Sequence, residues 1–145
     1  MKCLIFVLFY VFLIFSYKTV NAAMSEAQLK ATVRLIRNVC QPKTQATNED
    51  IKKMHDGDWN VDHPAMCYMQ CALMRNRLMA KNNTLNLEVG INLAKSRLPE
   101  ARKNPSIEAM TKCKDSAKTL NDKCVAAYEI SKCLYESNPT NYFLP

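Results

Sequence analysis

Seven cysteines stand in this sequence beside only two glycines and two histidines. Thiols do two kinds of work outside catalysis: they bind soft metals, or they oxidise to disulfides. Zinc sites want C-x-x-C pairs or clustered histidine, and neither is present. Cys67 and Cys71 are separated by three residues, with no further ligand beside them. Gly57 and Gly90 cannot write either glycine-rich nucleotide-binding loop. Serine-based hydrolysis needs a base held near the nucleophile, and neither His55 nor His63 has an evident serine partner. A secreted phospholipase of this size would want a glycine-rich calcium loop and a helical histidine, and the sequence offers neither. No pair of carboxylates is singled out for acid-base work. The sequence therefore calls for no metal, no cofactor and no enzymatic activity.

Disulfides need an oxidising compartment, and the first 22 residues supply the route. Lys2 precedes an unbroken apolar run of twelve residues, Leu4 to Phe15, and Val20-Asn21-Ala22 has the small-residue form of a cleavage site. Twelve apolar residues fall short of the roughly 20 that span a bilayer. Residues 1–22 read as a secretory signal and residues 23–145 as one extracellular domain with no stable membrane insertion. Cleavage removes Cys3 and leaves Cys40, Cys67, Cys71, Cys113, Cys124 and Cys133. Six cysteines on a secreted chain read as three bridges, for which spacing alone permits fifteen pairings.

These cysteines must be carried by helices. Apolar residues recur at three and four, and strand alternation is missing. A first helix is expected from Glu26 to Val39, opened by a Ser25/Gln28 capping box and stopped by Gln41-Pro42. A second spans Asn48 to His55, and a third runs from Pro64 through Leu78 until Lys81-Asn82-Asn83. A fourth covers Leu87 to Arg97. A fifth starts at Pro105 and carries Met110, Cys113 and Leu120. A sixth runs from Asp122 to Tyr135, and the two prolines after Ser137 bar a regular helix. There is no internal repeat and no linker. Cys67 and Cys71 lie one turn apart on one helix face, so that helix can be stapled to two others.

The gaps between the six cysteines hold 26, 3, 41, 10 and 8 residues. That order resembles the insect odorant-binding proteins, the pheromone-binding and general odorant-binding family. The family keeps the same three-residue and eight-residue gaps. Gly57-Asp58-Trp59-Asn60 and Met66-Cys67-Tyr68 are similar to its LUSH-like members. The resemblance implies an all-α fold of six helices around an internal apolar cavity. It also implies the bridges Cys40–Cys71, Cys67–Cys124 and Cys113–Cys133. The function it implies is a secreted carrier that binds small apolar ligands such as odorants reversibly, with a chemosensory receptor as a possible partner. Leu73, Leu78, Met110 and Leu120 are the wall residues it suggests, with Tyr142, Phe143 and Leu144 folding back from the tail.

Two features complete the reading. Processing leaves 18 basic and 13 acidic residues, a net charge of +5, where many family members are acidic. The basic residues are scattered and Trp59 stands alone, so nucleic-acid binding is not expected. The alternatives are a non-olfactory sequestering or interaction protein on the same fold, and a cationic membrane-active protein. His55 and His63 sit in loop-like sequence and are expected at the surface. Asn82-Asn83-Thr84 is a glycosylation sequon, and the sequence sets no oligomeric state.

Overall fold

The computed structural model describes residues 23–145; the expected signal segment lies outside the described residues. Six α-helices follow in order: α1 Glu26–Thr44, α2 Asn48–His55, α3 His63–Arg75, α4 Leu87–Arg97, α5 Glu100–Lys112 and α6 Lys123–Ser137. A single 3-10 turn, Pro139–Asn141, leads into the tail. Among the described residues there is no strand, only an isolated antiparallel bridge between Met79 and Leu85. No helix among them is long and apolar enough to cross a membrane.

The starts of α1, α2 and α6 follow from their caps. The Ser25 N–H donates to Gln28 Oε1 at 2.8 Å, and the Gln28 N–H donates to Ser25 Oγ at 3.2 Å. Thr47 Oγ1 accepts from the Asp50 N–H at 3.0 Å, and Asp122 Oδ1 accepts from the Cys124 and Val125 N–H groups at 2.8 and 3.2 Å. These bonds, Val125 foremost, and the His63 ring beside it hold the Asp122 carboxyl below its ordinary pKa.

Three of the expected helices are corrected at their ends. The first helix continues through Pro42 to Thr44. A proline near a helix end removes only one N–H, and the following turn is secured otherwise. Gln45 adopts φ 60° and donates to the Gln41 carbonyl, while Gln41 Nε2 donates to Asn48 Oδ1 at 2.7 Å. The third helix stops at Arg75. Arg77 takes a left-handed φ of 56°, its N–H donates to the Met74 carbonyl, and the Leu78 N–H reaches back to the Leu73 carbonyl at 2.9 Å. That is a Schellman ending with arginine where glycine is usual. The fifth helix begins at Glu100, with Pro105 inside it, and ends at Lys112 rather than near Leu120.

The segment after α5 is held by Glu129 on α6. Its carboxylate accepts the Lys118 and Thr119 N–H groups at 2.5 and 3.0 Å and the Thr119 hydroxyl at 2.7 Å. Burial raises the Glu129 pKa, but these bonds and the Lys118 charge outweigh it, so the net shift is downward. A lowered folded pKa contributes stability above the unfolded value and loses it as pH falls through the folded value. Glu129→Gln is therefore expected to destabilise the protein at pH 7, with the difference shrinking towards pH 3. Paired urea melts at the two pH values measure this.

The core gathers where the helices cross. The interface between α3 and α6 is the largest, followed by α1 with α3 and α4 with α5. Ile51, Tyr68, Met69, Leu73 and Ile130 are fully enclosed there. Disulfides join the same elements: Cys40–Cys71 ties α1 to α3, Cys67–Cys124 ties α3 to α6, and Cys113–Cys133 ties the end of α5 to α6. Gly57 closes the turn after α2 at φ 88°, and a Cβ there would stand 2.8 Å from the Tyr135 hydroxyl. Gly57→Ala is expected to cost about 1–3 kcal/mol in thermal or urea unfolding, because the backbone is left-handed and the added methyl is crowded.

Candidate functional site

Between α1, α4, α5 and the tail lies a cavity of about 140 Å³. Its wall is almost entirely apolar. Helix α1 contributes Leu29, Val33 and Ile36, the stripe that its three- and four-residue spacing predicts. Helix α4 contributes Gly90, Leu93 and Ala94, and helix α5 contributes Met110. The volume is below the 300–1,000 Å³ usual for ligand pockets. Two flexible methionines, Met24 and Met110, border it, so its size depends on how they are folded.

Gly90 sets one side. A Cβ at this position would lie 2.6 Å from Met110 Sδ and 3.2 Å from Leu78 Cδ2. The missing side chain lets α5 and the loop before α4 pack directly against the α4 backbone. Glycine costs about 1 kcal/mol in a helix interior, and here it leaves the room in which the Met110 sulfur sits.

The tail forms another side. Tyr142, Phe143, Leu144 and Pro145 all border the cavity. Arg102 holds this segment in place. Its Nε donates to Glu26 Oε1 at 2.7 Å, its Nη1 donates to the Asn141 carbonyl at 3.3 Å, and its guanidinium lies 5.7 Å from the Phe143 ring centre. Asn141 Nδ2 also donates to Ser106 Oγ at 3.0 Å. One cation thus links α1, α5 and the tail.

Tyr142 is also the hub of an aromatic cluster. Its ring meets Tyr135, His55 and Trp59 edge-on, with centroids 5.3, 6.0 and 6.3 Å away. Burial pushes its hydroxyl pKa well above the ordinary phenol value, and the neighbouring Tyr68 and Tyr135 add to that shift. Tyr128 meets Trp59 with ring centroids 5.7 Å apart, and its hydroxyl donates to the Trp59 carbonyl at 2.7 Å.

Of the residues the sequence suggested, the structure brings Leu78, Met110, Tyr142, Phe143 and Leu144 to the cavity. It does not bring Leu73 or Leu120. Leu73 is fully enclosed in the helical core, and the Schellman turn at Asn76–Arg77 separates it from Leu78, which the loop carries. Leu120 is 43% exposed, because α5 ends eight residues earlier and leaves it in a turn. Sequence reasoning missed Gly90 and the α1 stripe as wall elements, and Arg102 as the residue that ties the tail to α1. A glycine inside a helical pattern was the available signal for the first.

The histidines do not border the cavity. His55 is exposed but turns a ring edge to Tyr142. Partial burial, then the Arg37 charge, hold its pKa below the ordinary value against the opposing pull of Asp56. His63 is the first residue of α3, not a loop residue, and its Nε2 lies 3.0 Å from Asp122 Oδ2. Its ring lies near the sulfurs of Cys67 and Cys124, but these are bonded to each other and offer no thiolate to a metal. Asn82 is exposed, and its Oδ1 accepts the Thr84 hydroxyl at 2.7 Å.

Comparison with known proteins finds the model of the PBP/GOBP family matching residues 22–137. General odorant-binding protein 72 of Anopheles gambiae is 28% identical over 121 residues, covering 83% of this chain and 99% of its own. General odorant-binding protein 19d of Drosophila melanogaster is 30% identical over 103 residues, covering 70% of this chain and 68% of its own. Among solved structures, odorant binding protein 4 of Chrysopa pallens is 38% identical, with a TM-score of 0.78, covering 84% of this chain and 99% of its own.

Proposed function

The chain belongs to the PBP/GOBP family, and on that premise we propose that it is a secreted carrier. It takes up one small apolar molecule from an aqueous fluid, holds it in the cavity beside α4 and the tail, and releases it unchanged. The cavity, walled almost entirely by apolar side chains, is the observation that carries this reading. Burial of ligand surface supplies the affinity, at about 25 cal/mol per Å² removed from water. Leu78, Met110, Tyr142, Phe143 and Leu144 form the contact wall, together with Gly90 and the α1 stripe.

Uptake of anything beyond a small ligand needs Met24 or Met110 to change rotamer, which methionine does at little cost. Handover to a chemosensory receptor belongs to the same proposal. So does secretion: an exposed sequon at Asn82 and three disulfides suit an extracellular protein.

Titration of the oxidised, processed protein with an environment-sensitive apolar fluorophore tests the reading. We expect saturation at micromolar concentration with one site per chain, displacement by volatile apolar compounds, and no binding after reduction and unfolding. Unsaturable or absent binding to the oxidised protein overturns it.

One observation favours a second reading, a sequestering or interaction protein. A surface groove is bordered by Lys43, Arg75 and Lys123, with no acidic residue among those lining it. On that reading an acidic macromolecule binds with a steep dependence on salt, and the fluorophore does not compete with it.

A further inference from the structure

Away from the cavity, the N-terminal ends of α3 and α6 bring four chemically active side chains together. His63 opens α3 and Asp122 caps α6. Cys67 lies one turn beyond His63, and Cys124 is the second residue of α6. The His63 Nε2–H donates to Asp122 Oδ2 at 3.0 Å, which leaves Nδ1 facing Cys67 Sγ at 3.6 Å. An imidazole nitrogen and both sulfurs lie within 4.8 Å of one another. None of the four residues borders the cavity.

The Cys67 end of this bridge is open to approach. Cys67 is half-buried and lines the basic groove together with Lys43, Arg75 and Lys123. Among the described residues, none of these three cations stands in an ion pair. The other bridges have a different setting. Cys40 and Cys71 are both buried. Cys133 is also half-buried, but the polar group beside that bridge is the Ser137 hydroxyl, 3.4 Å from Cys113 Sγ.

A disulfide opens when a thiolate attacks one sulfur and expels the other. A small thiol is mostly protonated at neutral pH, so the step gains from a base at the point of attack and an acid at the sulfur that leaves. We propose that Cys67–Cys124 is a thiol-exchange site for a small anionic thiol of the glutathione class. The incoming S–H gives its proton to His63 Nδ1, and the thiolate attacks Cys67 Sγ from the groove. A new S–S bond joins the thiol to Cys67. The Cys67–Cys124 bond breaks, and its electron pair leaves on Cys124. His63 returns the proton to that sulfur. The step ends with a mixed disulfide at Cys67, a thiol at Cys124 and an unchanged imidazole. The direction follows from access, since Cys124 is buried. Asp122 is a positioning residue that fixes the tautomer and aims Nδ1. The unpaired cations draw the carboxylates of the thiol into the groove.

Loop closure favours the intact bridge at equilibrium, so the test reads rates. The oxidised, processed protein is exposed to glutathione, free thiols are alkylated at timed intervals, and the peptides are mapped by mass spectrometry. We expect glutathione on Cys67 and an alkylated Cys124, appearing at least about ten times faster than either other bridge opens. His63→Ala should slow this step about tenfold while thermal melting shows the fold retained. Added imidazole should restore much of the lost rate, which it would not do for a histidine with a merely structural role. Salt should slow glutathione more than uncharged mercaptoethanol. Opening of Cys113–Cys133 as fast as Cys67–Cys124 overturns the proposal, because exposure alone then decides. So does an unchanged rate in His63→Ala.

Discussion

Joint replacement of Cys67 and Cys124 by alanine is expected to lower stability by about 4 kcal/mol, the largest loss from any of the three bridges. This bridge closes the longest loop, with the cysteines 57 residues apart, against 31 for Cys40–Cys71 and 20 for Cys113–Cys133. Chain-entropy reasoning therefore ranks the bridges in that order, with the last worth about 3 kcal/mol. Location points the same way. Cys67 and Cys124 fasten α3 to α6, the helix pair with the most extensive packing. A domain that keeps a cavity has fewer packed side chains to compensate when the covalent tie is lost. Thermal melts of the three double-alanine variants measure the order, and about 4 kcal/mol corresponds to a Tm drop of roughly 15 °C at this size. If the Cys113/Cys133 variant were the least stable, local strain rather than loop length would govern the bridges.

The second large effect is on binding rather than stability. Gly90→Ala places a methyl only 2.6 Å from the present position of Met110 Sδ. The sulfur lies towards the free end of a flexible chain, so it moves instead of the backbone. The open space beside it is the cavity that Gly90 and Met110 both border. In a volume of about 140 Å³ a displaced thioether excludes a ligand. Fluorophore affinity should fall at least about tenfold, or 1.4 kcal/mol. The fold should hold, because alanine regains about 1 kcal/mol of helix propensity against the crowding. Met110→Ala alone should enlarge the cavity and cost about 2–5 kcal/mol of stability. Combined with Gly90→Ala it should restore binding, so the two changes are non-additive in affinity. Affinity unchanged in Gly90→Ala would place the ligand elsewhere.

Much of this was visible in the residues. The Ser25/Gln28 box, the Thr47 cap and the Asp122 start are local chemistry, and the structure puts helices where they point. Helix ends were harder to read because their signals were non-standard. Proline stands inside α1 and α5, where it removes one hydrogen bond each without ending the helix. Arginine takes the left-handed position that ends α3, so no glycine marked the stop. The early end of α5 accounts for the misplacement of Leu120, which leaves the helix, while Leu78 reaches the cavity as expected but from a loop.

The cavity itself depends on contacts between distant segments. Arg102 meets Glu26 across 76 residues and Asn141 across 39, which no periodicity reveals. Tyr128, Tyr135 and Tyr142 recur every seven residues, but only the folded chain shows that the last of them leaves α6 and turns back onto Trp59. The methionines do not share one environment, and their spacing does not sort them. Of the seven methionines after residue 22, Met24 and Met110 border the cavity, while Met54, Met69 and Met79 are core and Met74 is 51% exposed.

That division supplies the most direct test of the central claim. Methionine methyl groups labelled with carbon-13 give separate NMR signals whose shifts report contact with an added ligand. If the cavity between α1, α4, α5 and the tail is the carrier site, titration with octanal shifts Met24 and Met110 saturably and together, and leaves Met74 unmoved. Saturable shifts centred on Met74, beside the basic groove, or no saturable shift at Met24 and Met110, would contradict it.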